Sequence, residues 1–323
     1  MSSTIIARAP TRLDFGGGWT DVPPYVDREG GAVCNLAIAR FATATVTIGD
    51  HTTLAARARD PLIAAAIRRA SLPQATVTLT SDFPVGSGLG GSSAAGVAMA
   101  GALAVARGAP LLPHALAALS RATEVEELGV PGGYQDHYAA AFGGALLLRL
   151  DESHVDVERI PLDARFSDEL ARRLVIVYTG ESRISGETIT AVRDAYLAGE
   201  SRTLNALSRM KALAIEMAAT LRGGDIDALG ELIAEHWMHQ RALHPAIPTA
   251  RIDAIIALAA ESGAAGAKAL GASGGGCVLA VAREGREDEL ARALGTLGKP
   301  LPFAIDSTGF TVISRSMESA GAT

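Results

Sequence analysis

Aromatic side chains make up only 4% of this 323-residue chain, and just two residues are cysteine. So few aromatics remove the stacking platforms on which single-stranded nucleic acid is usually held. Cys34 and Cys277 stand in apolar surroundings with no ligand cluster beside them. Both are expected in the core of a protein kept reduced, without disulfide or zinc. Basic charge is in deficit too, with 29 Lys and Arg against 35 Asp and Glu, a net charge of −6. That balance argues against nucleic acid or anionic membranes as partners, while a few local arginines can still hold an anionic substrate. Long apolar runs are also missing. The longest, Ala94 to Ala106, is broken by glycine and falls short of the roughly 20 residues a membrane span needs. Met1–Arg8 has no apolar core such as a secretory signal carries, so a cytoplasmic protein is expected.

Glycine is plentiful, with 35 residues, and hydrophobic residues make up 48%, enough for a sizeable core. The length suggests two domains. Charged residues thicken over Asp151 to Arg173, expected as a surface crossing, which puts the domains at 1–160 and 161–323. Strand alternation dominates from Thr4 to Thr80, clearest at Phe41–Ile48. Helices are expected at Ser92–Arg107 and Pro113–Leu128, the second closed by Gly129, with a short one over Tyr138–Phe142. Strands follow at Ala145–Leu150 and Leu174–Tyr178. Four helices lie between Gly186 and Ser262. The chain closes with a strand at Cys277–Ala282, a helix over Asp288–Leu297, and strands around Phe303–Ile305 and Phe310–Ser314. Strands and helices mixed without a repeating βα unit indicate an α+β fold.

One stretch stands out: Pro84-Val85-Gly86-Ser87-Gly88-Leu89-Gly90-Gly91-Ser92-Ser93, a glycine loop entering a helix of small residues. Bare amides at a helix N-terminus, with two hydroxyls and the helix dipole, suit an anion that approaches the main chain closely. Gly86, Gly88 and Gly91 satisfy G-x-G-x-x-G, yet a dinucleotide site wants an acid about 20 residues on. None occurs between Asp82 and Glu124. The strand before the loop, Thr76–Thr80, alternates as a half-solvated antiparallel strand does. A Walker loop is excluded because no lysine precedes the serines. A close helix contact through small residues is the other reading of the loop taken alone.

Three further segments carry polar residues on glycine turns. Arg12-Leu13-Asp14-Phe15-Gly16-Gly17-Gly18-Trp19-Thr20-Asp21 places an arginine and two acids around one turn. Gly133-Tyr134-Gln135-Asp136 puts a carboxylate where a short helix starts, a position also natural for a helix cap. Lys268–Cys277, containing Gly274-Gly275-Gly276, is a second glycine loop, leading into a strand.

Together, and in this order over nearly the whole chain, these segments resemble the GHMP kinases, named for galactokinase, homoserine kinase, mevalonate kinase and phosphomevalonate kinase. The resemblance is carried by Ala9–Asp21, the loop through Ala95, and Gly266–Val278. Departures are a serine run that begins with Gly91, and Ser273 and Cys277 in place of a glycine and a bulkier apolar residue. The resemblance implies two lobes, an N-terminal mixed α/β lobe and a C-terminal ferredoxin-like α+β lobe. It also implies that Gly86, Ser87, Gly88, Gly90, Gly91, Ser92 and Ser93 wrap the phosphates of ATP. Magnesium is then held by Ser92, or less favourably Ser93, with Glu124, which alone would read as a solvated helix acid beside Glu126 and Glu127. Asp136 becomes the general base, kept ionised by Arg12; an ion pair of Arg12 with Asp14 is the structural alternative.

Within the family, the string Arg12–Tyr25 and the segment Tyr178–Arg183 look most like the heptose 7-phosphate kinases and fucokinases. The implied activity is phosphorylation of an anomeric hydroxyl, foremost of D-glycero-D-manno-heptose 7-phosphate, with fucose or another free sugar second. Asp21, Gly18 and Thr20 are the expected sugar contacts, joined by Asp14, for which an inward-facing structural acid is the alternative. Arg183 is expected on a distal phosphate, with an exposed ion pair as its alternative. Arg241 is a weaker substrate candidate, and His236, His239 and His244 are expected on a helix surface. A non-catalytic sensor of ATP and sugar, or a decarboxylase on the same fold, are the readings from other classes. The oligomeric state is left open.

Overall fold

The computed structural model describes residues 2–49, 60–152, 154–181 and 186–318. The first half runs β1 (Ser2–Gly16), α1 (Tyr25–Glu29), β2 (Gly31–Ile48), α2 (Pro61–Ala70), β3 (Ala75–Ser81), α3 (Gly91–Ala106), α4 (Pro113–Arg121), a π turn (Ala122–Glu127), α5 (Gln135–Phe142), β4 (Ala145–Leu150) and β5 (Val155–Ile160). The second half runs α6 (Ala164–Arg173), β6 (Leu174–Tyr178), α7 (Gly186–Leu197), α8 (Ser201–Gly223), α9 (Ile226–Ala242), α10 (Ala250–Glu261), β7 (Ala264–Ala269), β8 (Cys277–Ala282), α11 (Glu287–Leu294), β9 (Lys299–Pro300) and β10 (Thr311–Glu318).

The first sheet has the order β10-β1-β2-β4-β5, with β3 also on β2, and every pairing is antiparallel. β2 is long enough to serve two partners along one edge, β4 through Gly31–Leu36 and β3 through Ala42–Ile48. Alternation of buried and half-buried residues from Ala42 onward is what a strand with one face in the core produces. Against that face lies α3, whose small residues are apolar all round, and it is correspondingly buried on nearly every side.

The second sheet has the order β7-β8-β6-β9, the interleaved strand order of a ferredoxin-like unit. Helices α8 and α9 fill the space between the sheets, α8 packing on β2 and α9 on β7 and β8. The division expected at 160/161 is crossed by β10, which returns from the second half to pair with β1.

Several local expectations are corrected. The charged stretch 151–173 is no mere crossing. It holds the edge strand β5, whose Val155 and Ile160 reach the core while its charges face outward, and the helix α6. Strand β7 was not anticipated, because Ala-Ala-Gly-Ala-Lys-Ala carries no apolar periodicity; α9 and α10 packed against it make it a buried strand. The strand expected at Phe303–Ile305 reduces to one bridge, Ile38 with Ile305. The helix expected over Pro113–Leu128 is α-helical only to Arg121 and then widens into the π turn. Among the described residues no helix is long and apolar enough to cross a membrane, and both cysteines are free and buried.

Candidate active site

The glycine loop at the start of α3 lies against the loop between β7 and β8 and against Asp136 at the start of α5. Gly86, Gly88 and Gly90 have φ of 71°, 74° and 75°, the left-handed region that glycine enters without penalty. Close approach adds to the requirement, since a Cβ on Gly88 would stand 2.7 Å from the Leu270 carbonyl oxygen. The second glycine loop thus backs the first, main chain on main chain, and the Cys277 amide donates to the Ser87 carbonyl at 2.8 Å. Ser87 itself is buried, bracing the loop from behind. Helix α3 then begins with no side-chain cap and no acid in its first turn. Its first intrahelical bond runs from the Ala94 amide to the Gly90 carbonyl at 3.0 Å. The amides of Gly91, Ser92 and Ser93 are therefore those a helix leaves to an external acceptor, at the positive end of its dipole.

Beside the helix start stands Asp136, in the first turn of α5. Arg12 donates to its Oδ1 through Nε at 2.7 Å, with Nη2 at 2.6 Å from the same oxygen, and Nη1 donates to the Gly88 carbonyl at 2.7 Å. One guanidinium thereby fixes both the carboxylate and the loop. Asp136 keeps 27% of its side chain open, against 4% for Arg12, so the carboxylate faces the space in front of α3. Burial pushes its pKa above the usual carboxylate range, and Arg12 opposes that shift.

The carboxylate at the start of α5 is not the cap that an isolated Asp there would suggest. Capping is done by Asp21, whose Oδ2 accepts from the Tyr134 and Gln135 amides at 2.8 and 3.0 Å. This ties the first motif to the helix that carries Asp136. Burial raises Asp21 to about 6 even though both amides favour its charged form. Like Asp14, Asp21 is only 1% exposed.

Glu124 sits on the π turn, a widened turn of the kind found at functional sites. Its Oε2 accepts from Ser93 Oγ at 3.1 Å and lies 3.3 Å from His137 Nε2. Ser120 Oγ closes the network at 3.0 Å from His137 Nδ1. Burial, helped by the Arg121 charge, drops His137 to about 3, so it is neutral. With Nε2–H donating to Ser93 Oγ at 3.3 Å, Ser93 donating on to Glu124, and Nδ1 accepting from Ser120, every partner is satisfied. The Glu124 pKa is raised by burial, with the Ser92 and Ser93 hydroxyls opposing and Asp136 adding to the rise. Two carboxylates in one site and an exposed Ser92 make an all-oxygen donor set of high negative charge. That set fits magnesium, which takes one or two carboxylates and completes its shell from phosphates and water. No group of three or more His, Cys, Asp or Glu is gathered for a metal among the described residues. Glu126 and Glu127 instead pair with Arg69 and Arg68 on α2.

Thr20 and Asp21, both buried, are corrected as open sugar contacts, and Asp14 takes its inward-facing alternative. Asp14 does not face the open site; it is buried, with Oδ2 at 3.2 Å from Lys268 Nζ. Thr20 is also buried, its hydroxyl donating to the Gly17 carbonyl at 2.7 Å and accepting from the Ala32 amide at 3.2 Å. Gly18 is needed for space, because a Cβ there would stand 2.4 Å from Asp14 Oδ2. Arg183 lies outside the described residues, and Arg241 is paired with Asp253. His236 is no surface residue: it is fully buried and accepts from the Gly17 amide at 2.9 Å, its pKa pressed well down by burial.

The structure adds Lys268, His137 and His236 to the site residues that the sequence points to. A lone lysine in a run of Ala, Gly and Leu was the available signal for Lys268, because such a charge is buried only with a partner. Next to the turn that carries Glu124, α2 and α3 line a cavity of about 340 Å³ whose lining includes Leu62, Ala66, Gly96, Met99, Leu103 and Thr123.

Comparison with known proteins accords with this geometry. Residues 55–144 match the family described as GHMP kinases N terminal domain, and residues 217–299 that described as GHMP kinases C terminal. The D-glycero-alpha-D-manno-heptose 7-phosphate kinase of Campylobacter jejuni is 27% identical over 90% of this chain and 93% of its own. The L-fucokinase/L-fucose-1-P guanylyltransferase of Bacteroides fragilis is 26% identical over 92% of this chain, which spans 36% of that protein. Among solved structures, a D-glycero-D-manno-heptose 1-phosphate kinase from Bacteriodes thetaiotaomicron superposes with a TM-score of 0.77 at 26% identity, covering 98% of this chain and 100% of its own.

Proposed function

Since the chain belongs to the GHMP kinases, we propose that it is a sugar kinase that transfers the γ-phosphoryl group of ATP to the anomeric hydroxyl of D-glycero-D-manno-heptose 7-phosphate. The observation that carries the chemistry is the Asp136 carboxylate, held through Oδ1 by Arg12 and open to the space in front of α3.

The phosphates of ATP lie on the amides of Gly91–Ser93 and within the Gly86–Gly90 turn, where the helix dipole and bare amides compensate their charge. The apolar cavity between α2 and α3 offers walls for the base. Ser92 and Glu124 would hold magnesium, which when bound neutralises charge on the transferring phosphoryl oxygens. Asp136 Oδ2 takes the proton of the anomeric hydroxyl as its oxygen forms a bond to the γ-phosphorus. The bond from that phosphorus to the β–γ bridging oxygen breaks, and ADP leaves with the electron pair. Arg12 keeps Asp136 ionised and adds positive charge beside the reacting group. No covalent enzyme intermediate is needed. Asp21 acts through the start of α5, which carries Asp136, and Arg183 pairs with the distal phosphate.

Similarity to the heptose 7-phosphate kinase along nearly the full length of both chains supports the acceptor. A free 6-deoxyhexose is the second reading, supported by the similarity to a fucokinase. The test is a panel of free and phosphorylated sugars with ATP and magnesium, followed by ADP release, with the phosphate located on the product by NMR. The expected product is a heptose 1,7-bisphosphate. Turnover confined to unphosphorylated sugars overturns the acceptor, and saturable ATP binding without turnover on any sugar overturns the kinase reading.

A further inference from the structure

Arg12 and Asp14 lie two residues apart on β1, so their side chains leave the same face of the strand. Opposite charges at that spacing can pair with each other, yet here each has another partner. Arg12 holds Asp136 and the Gly88 carbonyl. Asp14 Oδ2 is held by Lys268 Nζ at 3.2 Å, and the same ammonium donates to the Phe15 carbonyl at 3.3 Å. Lys268 comes from β7 in the other sheet, and both side chains are sealed from solvent, 0% and 2% exposed. Charge therefore alternates along one row: Asp136, Arg12, Asp14, Lys268.

We propose that Lys268 is a positioning residue, which by engaging Asp14 leaves the Arg12 guanidinium to Asp136 and so sets the orientation of the carboxylate that accepts the proton. The groups around the lysine leave Asp14 as its counter-ion. Asp14 and Arg12 face it from β1, Cys34 from β2 and His236 from α9. Burial keeps the Cys34 thiol and the His236 ring uncharged. Conversely, with the lysine charge gone, Arg12 is the cation nearest along the row for Asp14. A buried carboxylate that loses its partner seeks another or gives up its charge. Competition between Asp14 and Asp136 for one guanidinium is the expected result.

The effect on turnover rests on Asp136 being the base, so the decisive readout is structural and independent of the acceptor. A crystal structure of Lys268→Met is expected to show the Arg12 guanidinium moved toward Asp14, and Arg12 still on Asp136 overturns the proposal. In parallel, ADP release with heptose 7-phosphate is measured for Lys268→Met, Asp14→Asn and the double variant. Lys268→Met is expected to lose at least about tenfold in kcat with KM for ATP within about threefold, and adding Asp14→Asn is expected to restore most of that loss. A merely structural pair predicts loss that follows Tm and is not reversed when Asp14 is neutralised, which also overturns it. Should Lys268→Met not fold, the double variant decides. Arg12 on Asp136 in its crystal structure supports the proposal, and Arg12 displaced although both rival charges are gone overturns it. Failure of the base assignment shows separately, as turnover retained by Asp136→Asn.

Discussion

Arg12 meets Asp136 through one carboxylate oxygen: Nε at 2.7 Å and Nη2 at 2.6 Å both reach Oδ1. Oδ2 has no hydrogen bond among the described residues. Such an arrangement orients a base without occupying the lone pairs that must take the proton. Asp136→Asn preserves the shape and can still accept from Arg12, but it removes the basic oxygen. The expected outcome is a fall in kcat of roughly 10²–10⁴-fold with KM for ATP nearly unchanged. Steady-state kinetics on the folded variant check it, and near-normal turnover would rule out the assignment.

Gly88 and Gly90 share a left-handed backbone but face different neighbours. A Cβ on Gly88 meets the Leu270 carbonyl oxygen at 2.7 Å, whereas one on Gly90 meets Asp136 Cγ at 2.9 Å. Gly88→Ala is therefore expected to open the contact between the two glycine loops and raise KM for ATP. Gly90→Ala is expected to push the base aside and lower kcat. Each alanine also costs about 1–2 kcal/mol for its positive φ. Kinetics on both variants, normalised to folded protein by thermal melts, separate the two; identical kinetic losses would contradict this division.

Much of this was legible in the chain because the motifs are local. Glycine spacing marks positions that need a left-handed backbone, and Ser92, Ser93 and Asp136 sit within a turn of those glycines. What escaped was set by contacts far apart in sequence. A polar residue on a glycine turn does not announce a buried partner, so Thr20 reads as an open ligand and Asp14 as either an open ligand or an inward-facing acid. That partner is Lys268 for Asp14, and main-chain groups of Gly17 and Ala32 for Thr20. His236 looked like a surface histidine on a polar helix, and only the approach of the Gly17 amide explains its burial. Strand β7 was invisible for the same reason, since alanine and glycine form a strand there only because helices cover them.

Glu124 is drawn toward neutrality by burial and by the Asp136 charge, with two serine hydroxyls opposing. A bound dication reverses that tendency by favouring the charged carboxylate. Glu124→Gln keeps a group able to accept from Ser93 while removing the charge that attracts the ion. The magnesium concentration for half-maximal activity is expected to rise by about tenfold or more. Titration of activity with magnesium at saturating ATP measures it, and an unchanged half-point would exclude Glu124 as a ligand.

Asp21 links the first motif to the start of α5, and its linkage to pH has a definite sign. Burial raises it from 3.8 to about 6. Between those values the folded chain keeps a proton that the unfolded chain has released. Its contribution to stability is thus fully present below about pH 4 and is lost as pH rises through about 6. At about 1.4 kcal/mol per pKa unit, the whole window is worth up to roughly 3 kcal/mol. Asp21→Asn does not titrate, so the stability of the native chain relative to this variant should be greater at about pH 4 than at about pH 7, by roughly 2 kcal/mol. Urea unfolding of both proteins at the two pH values measures the difference directly. A pH-independent difference would mean that the Asp21 carboxylate under α5 is better solvated than its burial implies, and one larger at neutral pH would mean that the two amides favour its charged form by more than burial opposes it.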